Sequence, residues 1–268
     1  MPHLHVRRAA RAPLAFSLVE LSIVLVILGL LVGGILAGKS LIRASELRSV
    51  MTDAQRFVTG IAAFRDKYFG LPGDITNATS IWGTAGGTGN GPSCFNTVST
   101  DASTCNGNGD GVISAGNESF RIWQQLANAG LIPGQFTGTS SDANYADYGA
   151  VSLQNVPTSR LASGYWYVMS NGTYVSGNGA FYDGQYGNIL QLGAYTTLTT
   201  SPYASILKAE EMWNIDTKMD DGAPATGRIK ARINATSCTN TITTTDMTAT
   251  YNVSSTGIYC TPVFLTGF

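Results

Sequence analysis

From Leu14 to Gly38 the chain is apolar at nearly every position, and Glu20 is the only charge in the run. At 1.5 Å per residue these residues span roughly 37 Å, enough to cross a bilayer core of about 30 Å with some tilt. The pattern then changes without stopping. Leu47, Val50, Met51, Ala54, Val58 and Ile61 recur at steps of three and four, while Arg48, Asp53, Gln55 and Arg56 fall on the other faces. No proline intervenes between Phe16 and Pro72, so one helix is predicted from Phe16 to about Phe69, apolar all round in its first half and amphipathic in its second. Gly70-Leu71-Pro72-Gly73 ends it. Gly29, Gly33, Gly34 and Gly38 each weaken a helix by about 1 kcal/mol relative to alanine, which predicts a soft point in its middle.

Beyond residue 70 the periods shorten. Between Gly83 and Gly116, Gly, Asn, Ser and Thr dominate and predict long loops. A short helix is predicted from Glu118 or Ser119, with Phe120, Trp123, Leu126 and Ala127 on one face and a stop at Gly130. Tyr165–Met169, Thr173–Val175 and Ala180–Tyr182 read as strands, joined by turns at Asn171-Gly172 and Gly177-Asn178-Gly179. A helix over Ala204 to about Asp216 and strands over Arg228–Ile233, Thr248–Val253 and Ile258–Phe264 complete the reading. The fold class is α+β: a long N-terminal helix packed on a C-terminal body of antiparallel sheet, rich in loops.

Composition places this body outside the cytoplasm. Of the 268 residues only 12% are charged and 31 are glycine. The four cysteines, Cys94, Cys105, Cys238 and Cys260, fall into two close pairs. Four cysteines allow three pairings, and nearness in sequence favours Cys94 with Cys105 and Cys238 with Cys260. Two disulfides imply an oxidising compartment, and no Cys-x-x-Cys spacing suggests zinc. Arg7, Arg8 and Arg11 precede the apolar run with no acid among them, as expected of a cytoplasmic end, although Lys39, Arg43 and Arg48 follow it.

The junction itself is the most specific motif. A basic leader, a small residue at Ala15, then Phe16-Ser17-Leu18-Val19-Glu20-Leu21 and an unbroken apolar run resembles the prepilin N-terminus of type IV pilins and type II secretion pseudopilins. A glutamate at fixed depth in a membrane helix is rare because it costs about 2.5 to 3.5 kcal/mol at mid-bilayer. The resemblance covers residues 8 to about 70. It implies cleavage after Ala15 by a prepilin peptidase, methylation of the new amine at Phe16, and use of Glu20 in assembly. The family usually carries glycine where this chain has Ala15. The resemblance divides the chain into a leader at 1–15, a transmembrane and filament-core helix at 16–39, its amphipathic continuation at 40–70, and a periplasmic or extracellular globular domain at 71–268.

Its implied partners are other pilin subunits in a homo- or hetero-oligomeric filament, the peptidase and an inner-membrane assembly platform. The implied location is the inner membrane first, then a cell-surface pilus or a periplasmic filament. Cutting at Ala15 would remove both histidines, His3 and His5, and leave 13 basic residues against 17 acids, a charge of about −4. A histidine-free chain lacks the commonest general base and metal ligand. Assembly is therefore the expected role, as a structural subunit of a type IV pilus or pilus-like filament, with a type II secretion pseudopilin as the alternative within the class, a membrane-anchored periplasmic enzyme as the alternative from another class, and nothing pointing to nucleic acid.

Three further patterns carry chemistry. Gly33-Gly-Ile-Leu-Ala-Gly38-Lys39-Ser40 matches a P-loop letter for letter, but it lies within the apolar helix, where no strand precedes it and no loop can cradle phosphate. Asn106, Asn108, Asp110 and Val112, with Gly111 at the sixth place and Glu118 one place late, copy the first part of an EF-hand loop. That pattern fits either a weak calcium loop or a glycine- and asparagine-rich turn capping the next helix, with Glu118 favoured by the helix dipole. Asp216, Asp220 and Asp221 cluster near a predicted helix C-terminus, where they repel the dipole and one another. Lys218 or the break at Asp221-Gly222 is expected to compensate, with a paired-acid site or a second cation site as alternatives. Tyr165 to Tyr167, Tyr174, Tyr182 and Tyr186 are read as sheet packing.

Overall fold

A single helix, α1, runs over Leu18–Tyr68. In the computed structural model the described residues are 17–139, 154–161, 164–175, 180–194, 204–233 and 237–268. The chain divides into two compact units, Met1–Ser45 and Glu46–Phe268. After α1 come α2 (Ala78–Trp82), α3 (Pro92–Phe95), α4 (Asn117–Asn128), β1 (Gly164–Tyr174), β2 (Gly184–Ala194), β3 (Leu207–Lys208), α5 (Ala209–Met219), β4 (Ile229–Ala231), β5 (Ile258–Cys260) and β6 (Pro262–Leu265).

In the first unit the helix is unbroken through Gly29, Gly33, Gly34 and Gly38, around each of which a β-carbon would meet open space. Two of its serines are satisfied locally: Ser22 and Ser40 donate to the carbonyls of Val19 and Ala37 at 2.9 and 2.8 Å. A helix whose backbone and hydroxyl groups are bonded internally can be surrounded by hydrocarbon.

In the second unit the amphipathic stretch of α1 buries Val50, Ala54, Phe57, Ile61 and Phe64, the three- and four-residue stripe of its sequence. Phe57 stands at the centre. Trp123 of α4 and Trp166 of β1 meet its ring edge-on at 4.9 and 5.5 Å, with interplanar angles of 72° and 70°. Both tryptophans are fully buried, and neither indole N–H has a hydrogen-bond acceptor among the described residues, so the ring contacts are their main specific interaction. Four antiparallel strands in the order β1-β2-β6-β4 form the main sheet, and β3-β5 form a second. Tyr165, Trp166 and Tyr167 are buried, and Tyr174, Phe181 and Tyr186 form one ring cluster, so this aromatic region is packing.

Both disulfides close the near pairs. Cys94–Cys105 closes a separation of 11 residues and Cys238–Cys260 one of 22. The longer loop is worth about 3 kcal/mol of unfolded-state entropy.

Several predicted elements differ. Asn171-Gly172 does not turn a hairpin: it is an irregularity within β1, where Gly172 at φ +56 faces Gly187 at φ +57. β1 instead pairs with β2, whose residues from Asn188 to Gly193 are buried without alternation and so leave no period of two to read. The turn expected at Gly177-Asn178-Gly179 lies outside the described residues. The helix expected from Ala204 starts at Ala209, because Ala204 bridges to Ala194 and Leu207–Lys208 pair with β5. The expected Ile258–Phe264 strand is two strands in different sheets, divided at Thr261. From the expected Thr248–Val253 strand only the bridge of Tyr251 to Thr239 survives.

Candidate assembly helix and acidic loops

Ala15 and Phe16, the processing residues, lie outside the described residues. Glu20 sits in the first turn of α1, where the dipole favours an acid. Its Oε2 accepts the Ser17 N–H at 2.9 Å, and Ser17 Oγ accepts the Val19 N–H at 3.2 Å. The two residues form a reciprocal cap of the S-x-x-E kind. Sequence reasoning read Glu20 only as an assembly acid and passed over the Ser17-to-Glu20 spacing that announces this cap. From Leu18 to Leu36 every large apolar side chain is between 50% and 85% exposed, on all faces. Gly33 to Ser40, the P-loop look-alike, is helical throughout.

The 106–118 segment folds by bonding to itself and to Asp74. Asn108 Oδ1 accepts the Asp110 N–H at 3.1 Å and Asp110 Oδ1 accepts the Val112 N–H at 2.8 Å, two successive Asx turns. Asn106 Oδ1 accepts the Thr79 N–H in α2 at 2.8 Å. Glu118, the second residue of α4, accepts from Ser114 N at 2.8 Å and Asn108 N at 3.4 Å. Asp74 clasps the loop from outside, with Oδ1 on Gly109 N at 2.7 Å and Oδ2 on Gly111 N at 2.9 Å. Asn106, Asn108, Ser114 and Glu118 line one cavity of about 470 Å³, while Asp110 and Val112 lie outside it. The side-chain oxygens of Asn106, Asn108, Asp110 and Glu118 thus each accept a donor of the chain, and the Ser114 carbonyl accepts the Ser119 N–H in the first turn of α4. Burial raises the Glu118 pKa, and the nearby Asp74 carboxylate raises it further.

Asp74 was not singled out from the sequence, and neither was Arg121. Arg121 is fully buried on α4 and donates to the carbonyls of Cys94 and Thr97 at 3.0 and 2.9 Å and to Gln124 Oε1 at 2.9 Å. Burial lowers its pKa to about 10, so it remains a cation that ties α4 to the Cys94–Cys105 loop. Arg121 falls on the polar face of α4 beside Gln124 and Gln125, opposite Trp123 and Leu126, so the helical period gave no sign that it is buried.

Asp216, Asp220 and Asp221 do come together, their carboxylate oxygens within 4.8 Å of one another. The compensation comes from hydrogen bonds rather than from Lys218. Asp216, fully buried, accepts the Tyr251 hydroxyl at 2.7 Å and the Gly222 N–H at 3.1 Å. Asp220 accepts the N–H groups of Arg228 and Ile229, and Asp221 accepts the Ala223 N–H at 2.9 Å and the Thr226 hydroxyl at 2.6 Å. Burial pushes the Asp216 pKa up to about 7; the two hydrogen bonds oppose that rise and the neighbouring carboxylates add to it. Tyr251 is pushed well above its ordinary value, first by burial.

Comparison with family profiles, with curated proteins and with solved structures finds no match to this chain.

Proposed function

We propose that the chain is a structural subunit of a type IV pilus or pilus-like filament. The observation that carries this reading is the helix from Leu18 to Leu36, apolar and exposed on every face, with one acid in its first turn. Such a surface is stable only when covered on all sides, first by lipid and then by the same helix of other copies. In this reading the chain is cut after Ala15, the free amine of Phe16 is methylated, and residues 16–39 become the filament core. Glu20 pairs with the Phe16 amine of a neighbour, since two charges in a low-dielectric core are tolerated only as a pair. The body after residue 70 forms the filament surface. Mass spectrometry of the mature N-terminus tests the reading directly: a chain beginning at methylated Phe16 supports it, and one retaining Met1 overturns it.

A further inference from the structure

Phe69 follows the last residue of α1 and closes the helix, its N–H bonded to the Arg65 carbonyl at 2.8 Å. Its φ is +58°, the only left-handed value at a non-glycine position among the described residues. Glycine is the ordinary occupant of this closing position, because it alone adopts that conformation without steric penalty. The phenyl group is also 94% exposed, the most exposed of the large apolar side chains described, and it makes no ring contact among the described residues. A residue that suits neither its backbone nor water points to a partner for the ring.

The same unit carries a receptacle of suitable size. Val58, Met219, Ile229, Phe264 and Leu265 line a groove of about 230 Å³, which the exposed Thr59 and Arg228 also border. A benzene-sized group settles in an apolar cavity of about 150 Å³. Among the described residues neither Asp66, three positions before Phe69, nor Arg228 has an ionic partner, so opposite charges accompany ring and groove.

We propose that Phe69 of one copy inserts into the groove beside Val58 and Phe264 of the next copy, with Asp66 brought toward Arg228. Ring and groove are different patches of one chain, so the contact is heterologous: each copy offers a ring to one neighbour and a groove to another. A contact of this kind that does not close into a ring generates a helical filament. The inference rests on the filament reading and adds to it a contact between bodies, separate from the packing of the apolar helices.

The test uses the full chain in cells that assemble it, with fibres sheared from the surface. Phe69→Ser is expected to abolish fibres while the processed subunit accumulates at the wild-type level. A second variant keeps Phe69 and carries Thr59→Cys with Lys67→Cys, both exposed positions on α1. Eight residues of helix separate them by about 12 Å, beyond the roughly 7 Å a disulfide can bridge, so any bond between them joins two chains. Its fibres are expected to run as a ladder of multimers without reductant, which neither single variant produces. Fibres at wild-type yield from Phe69→Ser, or fibres of the double variant without a ladder, overturn this contact and leave the filament reading standing. A wild-type chain that forms no fibres overturns both.

Discussion

Asp216 offers the sharpest physical test of the body. It is fully buried at the end of α5, next to two other carboxylates, and its pKa rises from 3.8 to about 7. A carboxyl whose folded pKa lies above its unfolded pKa binds its proton more tightly in the folded state. Its contribution is therefore complete below about pH 3.8 and is lost as pH rises toward 7. At 1.36 kcal/mol per pH unit, the loss across this window is at most about 4 kcal/mol, less whatever solvent screens from the charge. Asp216→Asn keeps the shape and an acceptor for Tyr251 or Gly222 but removes the titration. Urea melts of the full chain in detergent, followed by tryptophan fluorescence, would give the stability of both proteins from pH 4 to 8. Glu118 and Asp53, whose pKa values are also raised chiefly by burial, contribute to both curves and cancel in the difference. Relative to wild type, the variant should gain up to about 4 kcal/mol between pH 4 and 7 and change little above pH 8. A difference that does not vary with pH would refute the account of Asp216.

Three other outcomes follow from the loops and the cap. Glu20→Gln should keep the reciprocal cap with Ser17, since glutamine serves in that role, yet fail to enter fibres for want of a charge; normal fibres would remove the ion pair from the proposal. Asp74→Ala should destabilise the body by about 2 kcal/mol, because the Gly111 N–H loses its acceptor, as read by a lower urea midpoint. Calcium at 10 mM acting on a site of about 1 mM affinity would add roughly 1.4 kcal/mol. The side-chain oxygens of the 106–118 loop already accept chain donors, so the Tm is expected not to move, and a rise of several degrees would support the calcium loop instead.

Helix α1 was legible because a three- and four-residue stripe over Leu47 to Ile61 has one structural solution, and because Gly70 and Pro72 stop it. The cysteine pairs were legible from nearness alone. β2 was not, because a strand buried on both faces from Asn188 to Gly193 shows no alternation, and the glycines within it weigh against a strand. Asn171-Gly172 misled for a related reason: the dipeptide marks a need for positive φ, which a bulge satisfies as well as a hairpin does. The acidic triad was visible as a cluster, but its donors come from segments as distant as Tyr251 and cannot be read locally. Asp74 was hidden in the same way, since its partners Gly109 and Gly111 lie 35 and 37 positions on.

The cap at the start of α1 also bears on how firmly neighbouring subunits would hold one another. Before any neighbour arrives, one oxygen of Glu20 already accepts the Ser17 N–H. An incoming amine must share that carboxylate or displace the amide, so the contact is an exchange of partners rather than a rescue of a bare charge. Exchange narrows the difference between the joined and separated states. In the proposed filament, Glu20 would then select the alignment of each arriving subunit while leaving that step reversible.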